Sequence, residues 1–189
     1  MDFKILHKEL VYKGFNSLTR YEFEIESYDH TWLRKLTEVF ERGDSCSILL
    51  YEKDTKSILF TEQFRMPVCK HMNGWIQELV AGRIEGSDTP EDTIIRETAE
   101  EIGYNISKLE QISMFYLSPG VSTERIFLFY SEVETKDKKA IGGGLKEENE
   151  DIKLIKIPVS ELKSLLKGNS IMDAKSIIGI QWFLMNLLT

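Results

Sequence analysis

The chain has 189 residues, enough for one domain with a substantial core and a small appendage. Its 31 acidic against 24 basic residues leave a net charge of −7, with no basic stretch of the kind that tracks a nucleic-acid backbone. No apolar run is long enough to span a bilayer, Met1-Asp2-Phe3-Lys4 does not open as a signal peptide, and Cys46 and Cys69 lack metal-ligand spacing, so a cytoplasmic protein with reduced thiols is expected.

Residues 3–13 and 18–28 read as two strands around Gly14-Phe15-Asn16. The second alternates polar and apolar residues and should have one wet face. Periodicity leaves two roles open for the pair: a hairpin on the core, or an arm exchanged with a second subunit. Strands follow at 34–41, 45–52 and 57–65, with Arg42-Gly43-Asp44 and residues 52–56 as turns. Arg65 ends the last of these strands. Residues 66–74 read as a loop with an exposed His71, and 75–81 as one strand. A loop and an acidic helix span 82–104. Beyond them come strand 108–117, a Ser-Pro-Gly turn over 118–124, strand 125–133, a polar glycine-rich stretch over 134–150, strand 152–157, and helices at 158–167 and 173–188. A loop as long as 134–150 inside a compact domain reads as a functional lid or a mobile segment. Strands on both sides of one acidic helix, with helices at the end, indicate an α+β fold with a mixed sheet between helices.

The acidic helix holds the strongest signal. Thr89 is a good N-cap, Pro90 suits the first helical position, and Gly103 sits where a helix would stop. At 100° per residue, Glu101 lies about 40° from Glu97 and Glu100 about 60° on the other side, so three carboxylates share a face. Ile95, Thr98, Ala99 and Ile102 fall opposite and are expected to pack inward. Arg96 lies one turn before Glu100, an ordinary surface pairing if nothing else were present. Hard divalent cations take oxygen ligands and share them with water and phosphate, and the segment Glu78-Leu79-Val80-Ala81-Gly82 could present a backbone carbonyl to such an ion. An acidic protein acting on anionic phosphates must neutralise them locally, which favours a metal.

The stretch 82–104 resembles the Nudix box, Gly-x5-Glu-x7-Arg-Glu-U-x-Glu-Glu-x-Gly-U with U apolar. Gly82, Arg96, Glu97, Glu100, Glu101 and Gly103 stand in register; Asp88 replaces the first Glu and Thr98 the usual aliphatic residue. Gln63-Phe64-Arg65, Glu78 to Gly82, Ser118-Pro119-Gly120 with Glu124, Gly142-Gly143-Gly144 with its acidic continuation, and Lys175 with its apolar helix extend the resemblance over about residues 43–185, to the Nudix hydrolases of nucleoside diphosphate sugars and ADP-ribose. The resemblance implies a Nudix α/β/α sandwich over 41–189 and an antiparallel β arm over 1–40 that serves dimerisation. It implies Mg²⁺, with Mn²⁺ as a substitute, held by Glu97, Glu101, Glu150 and the Ala81 carbonyl. Glu150, Glu101 and Glu100 would be catalytic, Glu150 serving the metal or the attacking water, and Glu147 or Glu148 could stand in for it. Arg65, Gly82, Arg83, Glu124, Asn149 and Lys175 would bind substrate, joined by Glu38 and Phe15 across a homodimer interface. The expected reaction hydrolyses the pyrophosphate of a GDP-mannose or UDP-glucose type of substrate to a nucleoside monophosphate and a sugar 1-phosphate. ADP-ribose hydrolysis is the near alternative. A silent Nudix-fold binding module would lack the metal carboxylates. Cleansing of oxidised nucleoside triphosphates fits the arm and the late acidic loop poorly.

Overall fold

The computed structural model describes residues 1–187 as two compact units, one of residues 1–44 with 115–125, the other of 45–114 with the chain from 126 onward. The first is built on an antiparallel sheet in the order β1 (Phe3–Lys13), β2 (Ser17–Glu26), β3 (Trp32–Glu41). β2 is flanked on both sides, and its residues are mostly half-buried rather than split into a dry and a wet face. β1 is exposed throughout and carries two irregularities, between Ile5 and His7 and between Leu10 and Tyr12, which break up a long edge. Arg20 bridges the sheet, its guanidinium meeting Glu38 at 2.7 Å and Glu9 at 3.2 Å. The 118–124 turn adds to this sheet, the Phe40 N–H donating to the Val121 carbonyl at 2.7 Å.

The second unit is an α/β/α sandwich on a mixed sheet. The strand order is β10 (Lys153–Pro158), β5 (Ser57–Phe64), β4 (Ser45–Glu52), β9 (Arg125–Val133), β8 (Glu110–Tyr116), and β4 runs parallel to β9. β4 and β5 pair only over Leu50–Leu59, Tyr51–Ile58 and Glu52–Ser57. Beyond that they splay. Into the gap goes what the sequence suggested was one strand at 75–81. It is two: β6 (Trp75–Glu78) pairs with β5, β7 (Val80–Arg83) pairs with β4, and Leu79 is the crossing point. Residues 66–74, expected as a loop, include a 3₁₀ turn over Met66–Lys70.

Alternation along β4 builds the two helical layers. Cys46, Ile48 and Leu50 pack with Ile94 and Ile102 of α1 (Pro90–Ile102). Leu49 and Tyr51 face α3 (Ala174–Asn186), where Gly179 lies against Leu49 and Leu79 and the Phe183 ring is 5.1 Å from that of Tyr51. α2 (Leu162–Lys167) begins four residues later than expected, because Pro158 still belongs to β10 and a 3₁₀ turn intervenes. The expected end of the final helix at Leu188 lies outside the described residues.

Glu52, expected where strand 45–52 meets a turn, closes β4 as a fully buried carboxylate. Tyr104 Oη and Thr55 Oγ1 donate to it at 2.5 Å each, and Lys156 Nζ lies 2.5 Å away. Burial works against its ionisation, but Lys156, Thr55 and Tyr104 together hold its pKa below the usual glutamate value. Tyr104→Phe removes one of those donors to a buried charge and is expected to cost about 1.5–3 kcal/mol, read from urea unfolding.

Candidate active site

Helix α1 is fixed at both ends. Thr89 Oγ1 accepts the Asp92 N–H at 3.1 Å and Pro90 opens the first turn. Gly103, at φ 77°, closes the last turn with hydrogen bonds back to Ala99 and Thr98. Further C-terminal carbonyls, normally orphans, are taken by the glycine triplet. The Gly143 N–H donates to the Glu101 carbonyl at 2.8 Å and the Gly144 N–H to that of Glu100 at 3.2 Å. Gly142, Gly143 and Gly144 have φ of 75°, 111° and 82°. A Cβ on Gly142 would stand 2.7 Å from the Glu101 carbonyl oxygen, so glycine alone brings this backbone against the helix end. The stretch read as a lid or a mobile segment is therefore tied to α1 at the glycines.

That clamp delivers Glu150. Its Oε2 accepts the Leu145 N–H at 3.0 Å, and its charge acts on both Glu97 and Glu101. Asn149, at φ 56°, turns the chain after a 3₁₀ turn at Lys146–Glu148, while Glu147 and Glu148 face solvent.

The inward face of α1 differs from the expected one by a residue. Ile94, Thr98 and Ile102 are buried, whereas Ile95 is exposed, because the helix presents its 94–98–102 ridge to the sheet. The same rotation carries Glu101 inward, to 3 % exposure, and its Oε2 is buried with no hydrogen-bond partner among the described residues. Glu97 lies over the backbone of β7, so close that a Cβ on Gly82 would be 2.3 Å from Glu97 Cγ. Arg96 holds both neighbours, Glu97 at 2.9 Å and Glu100 at 2.8 Å. Glu100 and Glu101 occupy the last helical turn, the negative end of the dipole, where carboxylates are disfavoured.

Burial, reinforced by Glu100 and Glu150 and opposed by Arg96, pushes the Glu97 carboxyl up to about 7. Glu101 is driven well above the carboxylate range, first by burial and then by Glu97, Glu78 and Glu150. A carboxyl with a raised folded-state pKa stabilises below its unfolded value of 4.5, and that contribution is lost as pH rises through about 7. Metal-free protein should thus lose stability between those limits, by an amount of order 1.4 kcal/mol per unit of pKa shift, and Glu97→Gln should flatten the profile. Chemical denaturation across that pH range checks it.

An orphaned buried carboxylate oxygen, a second carboxylate seated on glycine, and an all-oxygen donor set fit a hard divalent cation. Among the described residues no three His, Cys, Asp or Glu side chains are already drawn together as a chelate.

Beside these lies a charged row in which Glu78 joins Arg65 and Lys175. Glu78, buried at the end of β6, meets Arg65 Nε at 2.7 Å and Lys175 Nζ at 3.1 Å, and Lys175 also meets Asp173 at 2.6 Å. Burial disfavours the Lys175 ammonium, yet Glu78 and Asp173 outweigh it and raise its pKa. Arg65 is half-exposed; Ala81 and Gly82 are half-buried in β7, and Arg83 ends that strand opposite Ser45. Thus Arg65, Ala81, Gly82, Arg83, Glu97, Glu100, Glu101, Asn149, Glu150 and Lys175 all belong to the second unit. Phe15, Glu38 and Glu124 belong to the first: Phe15 exposed at the β1–β2 turn, Glu38 paired with Arg20, Glu124 buried with Arg42 3.4 Å away. Both thiols are free, and burial pushes that of Cys46 up to about 12.

Comparison with known proteins places this arrangement. The NUDIX domain matches residues 41–177. The chain belongs to the NUDIX family. It is 33 % identical over 179 residues to the GDP-mannose pyrophosphatase of Pectobacterium atrosepticum, covering 94 % of this chain and 91 % of that protein. To the GDP-mannose pyrophosphatase of Yersinia pestis (strain Pestoides F) it is 32 % identical, covering 92 % and 87 %. To the ADP-ribose pyrophosphatase of Haemophilus influenzae it is also 32 % identical, covering 98 % and 87 %. A crystal structure of an ADP compounds hydrolase superposes with a TM-score of 0.78 at 13 % identity, covering 100 % of this chain and 98 % of that one, and shares the Nudix fold. No helix among the described residues is long and apolar enough to cross a membrane.

Proposed function

We propose that this NUDIX protein hydrolyses the pyrophosphate bond of a nucleoside diphosphate sugar of the GDP-mannose type, giving a nucleoside monophosphate and a sugar 1-phosphate. The cofactor in this reading is Mg²⁺, with Mn²⁺ able to replace it. One observation carries it: Glu101 Oε2 is buried without a partner among the described residues, beside Glu97 on Gly82, in a chain whose near-full-length relatives include GDP-mannose pyrophosphatases.

Glu97, Glu101, Glu150 and the Ala81 carbonyl would hold the cation. When bound, it supplies charge neutralisation to the pyrophosphate oxygens and helps activate the attacking water. The chain's own groups do the rest. Arg96 fixes Glu97 and Glu100. Arg65, its Nε engaged by Glu78, turns a half-exposed guanidinium toward phosphate, and Lys175 adds a second positive charge to that row. Glu150, with Oε2 held by the Leu145 N–H, has Oε1 to accept a proton from water or a place on the cation. Gly82, Arg83 and Asn149 belong to substrate binding here, and Phe15, Glu38 and Glu124 are carried as nucleotide contacts on sequence resemblance alone. The protein is a cytoplasmic homodimer in this reading, and gel-filtration mass tests the dimer separately.

The Haemophilus relative, aligned over 98 % of this chain, favours a second reading, ADP-ribose to AMP and ribose 5-phosphate. Incubation with GDP-mannose, UDP-glucose, ADP-glucose and ADP-ribose, each with Mg²⁺ and scored by product identity, separates them. GDP-mannose should lead. ADP-ribose in first place would establish the second reading, and a flat response across all four would overturn the class.

A further inference from the structure

At Leu79 the chain leaves β5 for β4, so its backbone N–H is outside both strand pairings. Three hydroxyls pin that crossing. Thr61 Oγ1 donates to the Glu78 carbonyl at 3.2 Å, Ser47 Oγ donates to the Val80 carbonyl at 2.9 Å, and Ser176 Oγ accepts the Leu79 N–H at 2.9 Å. Thr61 and Ser47 come from the flanking strands. Ser176 comes from the first turn of α3, nearly a hundred residues later, and is fully buried.

Ser176 is itself held by one carboxylate. Asp173, the N-cap of α3, accepts the Ser176 N–H at 2.9 Å and the Ser176 hydroxyl at 2.7 Å, both on Oδ2. Its other oxygen meets Lys175 Nζ, and Lys175 in turn meets Glu78. Asp173 therefore reaches two consecutive residues by two routes: the backbone of Leu79 through Ser176, and the side chain of Glu78 through Lys175. These residues lead directly into Ala81 and Gly82, the backbone on which Glu97 sits.

We infer that Asp173 and Ser176 are positioning residues of the active site, setting the β6–β7 crossing so that Ala81 and Glu97 face the buried Glu101. An N-cap needs only one acceptor, and a helix start needs no hydroxyl turned to a distant strand; a link from α3 to the crossing needs both. The inference rests on the proposed cation site but adds residues outside the motif that suggested it.

Mn²⁺ binding to substrate-free protein, followed by electron paramagnetic resonance, tests it with Ser176→Ala and Asp173→Asn, the latter retaining an N-cap oxygen. Loss of a group that orients ligands weakens metal binding or activity by about 10–100-fold, and that loss of Mn²⁺ affinity is expected in both variants. Melting of the same samples shows that each is folded at the assay temperature; should Ser176→Ala not fold, Asp173→Asn decides. Mn²⁺ affinity within twofold of wild type in a folded variant, with only a lowered melting temperature, would make the role structural and overturn the inference. Failure of the wild type to bind Mn²⁺ would instead overturn the cation site itself.

Discussion

Glu101→Gln is expected to lower turnover by about a thousandfold or more, the equivalent of several kcal/mol of lost charge stabilisation at about 1.4 kcal/mol per tenfold. The fold is expected to survive, and the physical reason lies in the metal-free state. Glu101 is buried, its Oε2 has no partner among the described residues, and burial together with Glu97, Glu78 and Glu150 disfavours its charge. Glutamine has nearly the shape of the neutral acid and none of its ionisation cost. Metal-free Glu101→Gln should therefore melt no lower than wild type at neutral pH. Its stability should also fall less as pH rises, since a raised carboxyl pKa contributes stability only on the acid side. Steady-state kinetics and melting of the same preparation check both halves. Loss of activity accompanied by unfolding would assign Glu101 to the core rather than to chemistry.

Gly82→Ala is expected to be nearly as damaging, for a steric reason. The added methyl would stand 2.3 Å from Glu97 Cγ and 2.4 Å from Glu97 Cδ, well inside contact distance. Relief requires Glu97 to leave its seat or β7 to leave its ladder with β4, where Gly82 pairs with Cys46. Displacement of a reacting group by about 1 Å costs around a hundredfold in rate, and overpacking adds about 1–3 kcal/mol of destabilisation. Single-turnover rates at saturating Mg²⁺ would show the first and urea unfolding the second. Wild-type activity in this variant would mean that Glu97 has no fixed place on β7.

Much of this was legible along the chain because it is written locally. Thr89, Pro90 and Gly103 bracket α1 with cap chemistry, and the spacing of Glu97, Glu100 and Glu101 follows from the helical repeat. The strand pattern read well wherever apolar runs were flanked by turns, as at Ser45–Glu52 and Arg125–Val133. The misreadings came where tertiary contacts decide. Ile95 looked inward on a wheel centred on Glu97, but the sheet takes the ridge through Ile94, Thr98 and Ile102. Glu52 read both as the end of strand 45–52 and as the start of a turn; its burial rests on Thr55 nearby and on Tyr104 and Lys156, which are remote in sequence. The division of 75–81 at Leu79 depends on β4 and β5 splaying apart, which no window of sequence contains. Asp173 and Ser176 read as an ordinary helix start; their second role is set by the distant backbone they hold. The glycine triplet was visible as unusual, but its use as a clamp on the end of α1 needed the fold.

The proposed reaction is metal-assisted hydrolysis of a pyrophosphate bond at the Glu97–Glu101 site. GDP-mannose incubated with metal-depleted protein, before and after Mg²⁺ is restored, with products separated by ion exchange, tests it most directly. No product before addition, and GMP with mannose 1-phosphate after it, is the predicted result. Undiminished turnover without a divalent cation, or release of GDP and free mannose, would contradict it.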